Sequence, residues 1–542
     1  MRSLWRFAAV LAPAMATLGT AFFIVLPWMT RIDLGDPWVS RLAHASAGMW
    51  LLVLWIALHQ LWFQFWGGLV GEGRECSRIR DRAVRFVLVY TTCDDFRSDS
   101  LTSCCRQDYP AAFYRVIVGD DGTDPDVRRT LKTAIALLGR VTYLPRSVRL
   151  HFKAGNLNNV LDALEDGEEW LVLVDADQIL PTDYLRKMAD AVADLPASVA
   201  FVQGGHVSDD HIRPMAPDRT DALQSASSAF QAAMGLDVAV FYQRELPWRE
   251  QVGFLPMLGH GVAIRRSSLI AVGGFPRVVS EDYALSMEFR NAGFRGHFCK
   301  RVSSWEAFPE TYDQFAVRLK KFSGGTGQLL RTCVARFLKG PAHPSEKLDL
   351  LILLGNFFLM PILIVNGFVS CFVCGRLWAW HVSMLHPVLP YVFVGMFILT
   401  MSVLCGVARS LSTGIRFWFW AMAVYMSCVP VGAVRFLAAC VGWEPGFVPT
   451  GGSKGRQGLS LMETLGTIGI GVLASIAAWT WVSPFSLVLT AQSISWVSTP
   501  VYKFLHRRSA SGVIARAVVP LPGLAWLASL YAMWFWGYRY RY

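Results

Sequence analysis

Three pairs of aspartates each close a run rich in β-branched residues: Asp94 and Asp95 in TTCDDF, Asp120 and Asp121 in GDDGTD, and Asp175 and Asp177 in VDADQ. One acidic strand end is ordinary, because loops are polar. Three along one sheet edge repel each other unless a cation or a hydrogen-bonding ligand fills the space between them. A hard divalent cation bridging to a diphosphate is the natural occupant. Mg2+ takes one or two carboxylates plus phosphate oxygens, and Mn2+ fits similarly. A fourth acidic pair, Glu281 and Asp282 in SEDYALSMEFRNAGFR, opens a predicted helix. Ser280 with acids in the first turn reads as helix capping. It reads equally as a general base within reach of an acceptor hydroxyl.

The elements that must position these groups are legible as apolar runs. RFVLVY (85–90), YRVIVGD (114–120) and WLVLVDAD (170–177) are strands buried on both faces, with helical connections at 126–138 and 156–166 between them. The expectation is a mainly parallel α/β sheet. Ligands in such sheets bind outside the carboxyl ends of the strands, where the acidic clusters fall. No spanning segment interrupts 71–345.

The rest of the chain is of another kind. Hydrophobic residues make up 53% of the 542 and charged residues 17%, with 21 Trp and 34 Phe, a composition that a bilayer absorbs and a soluble surface does not. Apolar runs cover about 7–29, 47–70, 348–375, 385–408, 417–441, 461–482, 484–505 and 513–536. Ala12, Ala14 and Ala16 fall too early for a signal-peptidase site, so the first run reads as an uncleaved anchor. Arg74, Arg78, Arg80, Arg82 and Arg85 follow the second run, placing the N-terminus and the central region inside the cell. If 444–458 is also inside, the run 417–441, broken by Pro430 and Gly432 and carrying Arg435, lies along the interface or re-enters. The net charge of +11 gathers beside apolar segments and forms no basic-aromatic ladder, which argues against nucleic acid. The 11 cysteines show no zinc spacing outside the membrane runs, and Cys371 and Cys374 read as span filler. His206, His211, His260 and His297 follow no ligand spacing and read as structural or exposed.

Taken in order, TTCDDF, DDGTD, KAGNLNN (153–159), DAD, GHGVAIRRSSLIAVGGFP (259–276), SEDYALS and WEAFPET (305–311) resemble the family 2 glycosyltransferases, the membrane-embedded cellulose, hyaluronan and chitin synthases above all. The likeness covers about 86–330. It implies a GT-A-type (Rossmann-like) α/β domain in which Asp95 and Asp121 contact the base and ribose of a UDP donor. Lys153 would neutralise the diphosphate. Asp175 and Asp177 would hold Mg2+ or Mn2+. Asp282, beside Glu281, would be the base for a single displacement that inverts an α-linked donor to a β-linkage.

Two segments depart from that pattern. Where polymerising members carry Gln-x-x-Arg-Trp, this chain has Arg318, Lys321 and Phe322. Lys321 keeps a charge near the diphosphate but loses the bidentate fork. Phe322 keeps an aromatic face for the acceptor but lacks the indole N–H. An amphipathic helix turning Arg318, Lys320 and Lys321 to lipid headgroups fits the same pattern. FVPTGGSKG (447–455) resembles a gating loop, with Thr450 and Lys454 closing over the nucleotide, although a glycine-rich connector looks alike. Gln203, on a predicted strand, is placed to face an acceptor.

The expected layout is two N-terminal spans (1–70), a cytosolic transferase domain (71–312), interface helices (313–345) and a C-terminal membrane region (346–542) with the 444–458 loop inside. The leading function is synthesis of a β-linked polysaccharide from a UDP-sugar, UDP-glucose first, at the inner face of a bacterial plasma membrane, with export through its own helices. An accessory export subunit would be compatible. Transfer of one sugar to a lipid acceptor is the alternative. A nucleotide-binding transporter is a third reading, against which the presence of a base argues.

Overall fold

The computed structural model describes residues 2–26, 36–69, 84–208, 240–306, 312–380, 423–443, 458–481 and 484–501, with the single residues 238, 309 and 503. The runs at 385–408 and 513–536, His211, and the 447–455 segment with Thr450 and Lys454 lie outside the described residues.

Two apolar helices lead the chain, α1 (Arg2–Thr20) and α2 (Pro37–Leu69). The domain that follows is built on β1 (Phe86–Thr92), β2 (Tyr114–Asp120), β3 (Val141–Pro145), β4 (Trp170–Asp175), β5 (Gln178–Ile179), β6 (Val199–Ser208), β7 (Val262–Arg265) and β8 (Arg295–Glu306). Every residue of β1 is buried. Phe86, Leu88 and Tyr90 enter one core layer while Val87 and Val89 enter the other, which is why the run reads as continuously apolar.

Among the described residues the strands form one sheet in the order β3-β2-β1-β4-β7-β6-β8-β5. The first four are parallel, with Thr92 beside Asp120 and Thr91 beside Asp175, so the three acidic ends share one edge. Beyond β4 the sheet is mixed. β7 runs antiparallel to β4 and to β6, β8 runs parallel to β6, and β5 is antiparallel to β8. The expected mainly parallel sheet therefore describes only half of it. After Asp175 the chain turns through Ala176 and Asp177, and Gln178 pairs at once with Glu306 at the far end of the sheet. The sheet thus curls over, and the Asp-Ala-Asp turn sits between its two ends.

Helix α3 (Phe152–Asp162) carries Lys153 and α4 (Glu281–Asn291) carries the second acidic pair. Then come α5 (Tyr312–Thr332), α6 (Pro344–Trp380), α7 (Ala423–Cys440), α8 (Leu461–Thr480) and α9 (Pro484–Val497). Among the described residues, four helical stretches are long and apolar enough to cross a membrane: Leu4–Phe23, Pro37–Leu69, Pro344–Arg376 and Leu461–Thr480. Polar pairs hold α2 to α6: Ser46 Oγ lies 2.8 Å from Ser370 Oγ, and Gln60 Nε2 donates to Asn356 Oδ1 at 2.8 Å. Such bonds tie apolar helices where burial alone gives no preference.

A charged knot joins domain and helices. Asp349, fully buried on α6, accepts from His59 Nε2 of α2 at 3.0 Å, from Arg249 Nη1 at 2.5 Å and from the Phe254 N–H at 2.8 Å.

Helix α5 is not a lipid-facing strap. Lys320 Nζ reaches Glu463 Oε2 at 3.0 Å, Arg435 reaches the same carboxylate at 3.0 Å, and Arg318 Nη1 lies 3.6 Å from Glu306 Oε1. The basic residues expected to meet headgroups answer internal acids. The stretch Ser323-Gly324-Gly325-Thr326-Gly327 is buried, and its glycines let neighbouring elements close on it. A Cβ on Gly327 would lie 2.5 Å from the Phe436 carbonyl oxygen and 2.8 Å from Ala439 Cβ on α7, and one on Gly325 would lie 2.2 Å from Ser280 Oγ beside α4. Gly327→Val is therefore expected to destabilise the protein by about 1–3 kcal/mol through overpacking. Gly469→Ala, whose methyl would meet nothing within 4 Å, is the neutral control. Scanning fluorimetry of both in detergent checks it: a midpoint lowered only in Gly327→Val is the expected result.

Candidate active site

The edge formed by β1 and β2 is organised first. Asp94 takes a positive φ of 61° and accepts from Thr123 Oγ1 at 3.0 Å and Asp124 N–H at 2.7 Å, locking the two strand ends together. Asp95 accepts from Cys93 N–H at 2.7 Å and Thr92 Oγ1 at 2.9 Å, and burial raises its carboxyl above the ordinary range. Asp120 is internal, held by Tyr143 Oη at 2.7 Å and Gly122 N–H at 2.6 Å. Asp121, the expected ribose or base contact, meets the guanidinium of Arg146, whose Nε and Nη2 donate at 2.7 and 2.6 Å. Arg146 is a site residue that sequence reasoning missed; its only signal is its place just past β3, on the same edge. Arg149 lies close by with one buried guanidinium nitrogen unpartnered.

Lys153 is aimed by strain. His151 and Phe152 both take positive φ, 65° and 52°, a conformation costly for side chains of their size. The turn sends Lys153 Nζ to Asp175 Oδ1 at 2.5 Å, to the Gly259 carbonyl at 2.9 Å, and to within 4.0 Å of Glu281 Oε1. Burial opposes its charge, yet Asp175, Glu281 and Asp282 outweigh that and hold its pKa above the usual lysine value. Asp175 is half-buried, which opposes its charge, but the Lys153 ammonium against it holds its pKa below the ordinary value.

The other carboxyls are driven the opposite way. Burial, then Glu306 and Asp175, push Asp177 up to about 7. Burial, then Asp282, pushes Glu281 up to about 7, and burial raises Asp282 as well. Acids crowded until they hold protons near neutrality are a set to which a cation would bind well. Asp175 and Asp177, all oxygen, fit Mg2+ or Mn2+. At α4, Ser280 makes no side-chain cap bond, so the capping reading of Ser280 fails. Asp282 Oδ1 accepts from Tyr283 N–H at 2.8 Å.

The remaining expected residues divide. The charge of Lys321 is close enough to favour the ionised forms of Asp175, Glu281 and Asp282. Phe322 is 41% exposed, with the Arg318 guanidinium 5.4 Å from its ring centre. Gln203 does not face open space. It is fully buried, donating to the His260 carbonyl at 3.1 Å and accepting from Leu258 N–H at 2.9 Å, so it holds the 258–261 loop. His297 lies 2.6 Å from Glu250. His206 and His260, read from sequence as structural or exposed, stack at 4.3 Å, and His260 Nε2 lies 3.4 Å from Glu306 Oε2. Separations of some fifty residues hid this cluster.

Residues 91–322, less than half of the chain, match the model of the family described as glycosyltransferase like family 2, and most of the mixed, curled sheet falls within them. Over 195 residues, 36% of the chain, it is 26% identical to cellulose synthase 2 of Novacetimonas hansenii, and it spans only 11% of that protein's length. Among solved structures it is similar to the mannosyltransferase PcManGT from Pyrobaculum calidifontis in complex with GDP-Man and Mn2+ (16% identity, TM-score 0.38, 87% of this chain and 99% of that one). It is also similar to S. aureus TarS 1-349 in complex with UDP-GlcNAc (11% identity, TM-score 0.31, 66% of this chain and 91% of that one).

The site's electrostatics predict its thiol chemistry. Burial, followed by the charge of Asp95, pushes Cys93 up to about 12. A raised thiol pKa means less thiolate at any given pH, so at pH 8 iodoacetamide should label Cys93 roughly a thousandfold more slowly than a free thiol. Peptide mapping by mass spectrometry reads the rate, and labelling at the free-thiol rate would contradict the electrostatics.

Proposed function

We propose that this chain is an inverting glycosyltransferase that moves a sugar from a UDP-sugar, UDP-glucose first, onto a growing β-linked polysaccharide at the inner face of a membrane. The observation that carries the reading is the reach of one ammonium: Lys153 lies 2.5 Å from Asp175 and 4.0 Å from Glu281. The donor edge of the sheet and the acidic start of α4 are thereby one site.

Asp282 takes the proton from the acceptor hydroxyl. The oxygen then forms its bond to the anomeric carbon as the bond to the diphosphate oxygen breaks, and UDP departs with the electron pair. Attack from the face opposite the leaving group inverts the centre. Gly259, at φ 75°, lets the 258–261 loop approach the base, since a Cβ there would lie 3.1 Å from Asp282 Oδ2. Lys153 and Lys321 supply positive charge where the diphosphate gathers negative charge. A divalent cation on Asp175 and Asp177, when bound, would neutralise the leaving diphosphate. Asp95 and the Asp121–Arg146 pair form the floor for the nucleoside, and Thr450 and Lys454 would close over it.

The proposed layout is spans at 1–70, a cytosolic domain at 71–312, interface helices at 313–345, of which α5 forms the site's floor, and the membrane region at 346–542. Export through these helices, with or without an accessory subunit, belongs to the same reading. Transfer of one sugar to a lipid is the second reading, favoured by Lys321 and Phe322 standing where polymerising relatives carry a fork and an indole.

Labelled UDP-sugars supplied to the protein in lipid, followed by sizing of the product, separate the two readings. Long polymer supports the first, a lipid-sized product the second, and no turnover with any donor rejects both. Asp282→Asn is expected to lower kcat by about a thousandfold or more and leave UDP affinity nearly unchanged. Wild-type turnover in that variant would remove Asp282 from the role of base. Because the base must be ionised and burial raises the Asp282 carboxyl above its ordinary value, the rate should climb with pH above the range in which a free aspartate titrates. A profile with its midpoint at or below the free aspartate value, about 3.9, would contradict this.

A further inference from the structure

Three strand ends outside the Asp-Ala-Asp turn assemble a second donor set. His206 lies near the end of β6, His260 in the loop entering β7, and Glu306 closes β8. One ligand atom from each lies within 4.8 Å of the other two. His206 is 1% exposed, yet its Nε2 has no hydrogen-bond partner, and His260 Nδ1 is buried and unpartnered as well. A buried polar nitrogen left unsatisfied costs about 1–3 kcal/mol, so two in one cluster need a reason.

The surroundings hold these rings in place. Ser304 Oγ lies 3.2 Å from His206 Nδ1 and orients the ring; in the tautomer in which Nδ1 donates to Ser304, Nε2 carries the lone pair a cation needs. Arg318 Nη1 lies 3.6 Å from Glu306 Oε1 while His260 faces Oε2. Gly261, at φ 57°, makes the stacking possible, since a Cβ there would sit 2.6 Å from His206 Cε1 and 2.8 Å from Gln178 Nε2.

We propose that His206, His260 and Glu306 bind a divalent transition-metal ion, at a site separate from the one formed by Asp175 and Asp177. Two imidazoles and one carboxylate suit Zn2+, Co2+, Fe2+ or Mn2+ and select against Mg2+, which prefers oxygen ligands and keeps its waters. Three protein ligands leave room for a water or a substrate oxygen. The ion would place two positive charges beside Glu306, whose carboxylate lies close enough to Asp177 to raise its pKa.

The test uses the full chain in lipid nanodiscs, stripped with chelator and titrated with Co2+ (visible absorption) and with Cu2+ (pulsed electron resonance, which counts imidazole nitrogens). Wild type should show an ion coupled to two imidazoles. Asp175→Asn with Asp177→Asn should retain that ion, while Glu306→Gln, nearly the same shape, should weaken it by tenfold or more. Wild type binding Co2+ only through oxygen, with no imidazole coupling, overturns the proposal whether or not any variant folds. So does a Glu306→Gln protein that unfolds at the wild-type temperature and binds the imidazole-coupled ion as tightly. None of these readouts depends on sugar transfer, so this site and the transferase reading can fail separately.

Discussion

The ammonium of Lys153 is the charge around which the other site groups are arranged. Asp95, Asp175, Asp177, Glu281 and Asp282 converge from the ends of β1 and β4 and the start of α4, and burial is the largest of the effects that drive several of them toward the neutral acid. One buried cation in contact with Asp175 and near Glu281 keeps part of that set ionised. Its position is bought with backbone strain at His151 and Phe152. The rest of the sheet can be seen as the scaffold that keeps this ammonium and its carboxylates from relaxing apart.

The second constraint is the floor. Helix α5 carries Arg318 and Lys321 on the face toward the acids, and its glycines pack against α7. Lys320 and Arg435 meet on Glu463 of α8. The acidic cluster and the apolar helices therefore share one element, and charge on that element is matched from both sides.

Much of the donor side was legible because its signals are local. Strands buried on both faces appear as continuous apolar runs, and each ends in the acids it positions, so the places of Asp175 and Asp177 were legible from the runs, while Lys153 stood out only through the family resemblance. What could not be read depended on distant partners. The basic face of α5 has the pattern of a surface helix, and only Glu463, far along the chain, shows that Lys320 points inward. Gln203 sits on a strand whose direction was foreseen, but the return of the 258–261 loop decides what its amide meets. VAIR in β7 and the two residues of β5 are too short to announce an antiparallel half-sheet. The stacked histidines come from three strand ends brought together by that half-sheet, so no spacing rule could reveal them.

The knot at Asp349 bears on where the catalytic unit ends. The sheet has its own core and looks separable, yet Arg249, buried beneath it, faces a carboxylate that belongs to α6, and His59 of α2 shares the same oxygen. Cutting the chain after the sheet would remove Asp349 and leave the buried Arg249 guanidinium with Glu245 as its remaining carboxylate, and cutting before it would take His59 from Asp349. The polypeptide thus resists dissection: the apolar helices on either side of the sheet are part of what holds its buried charges in place.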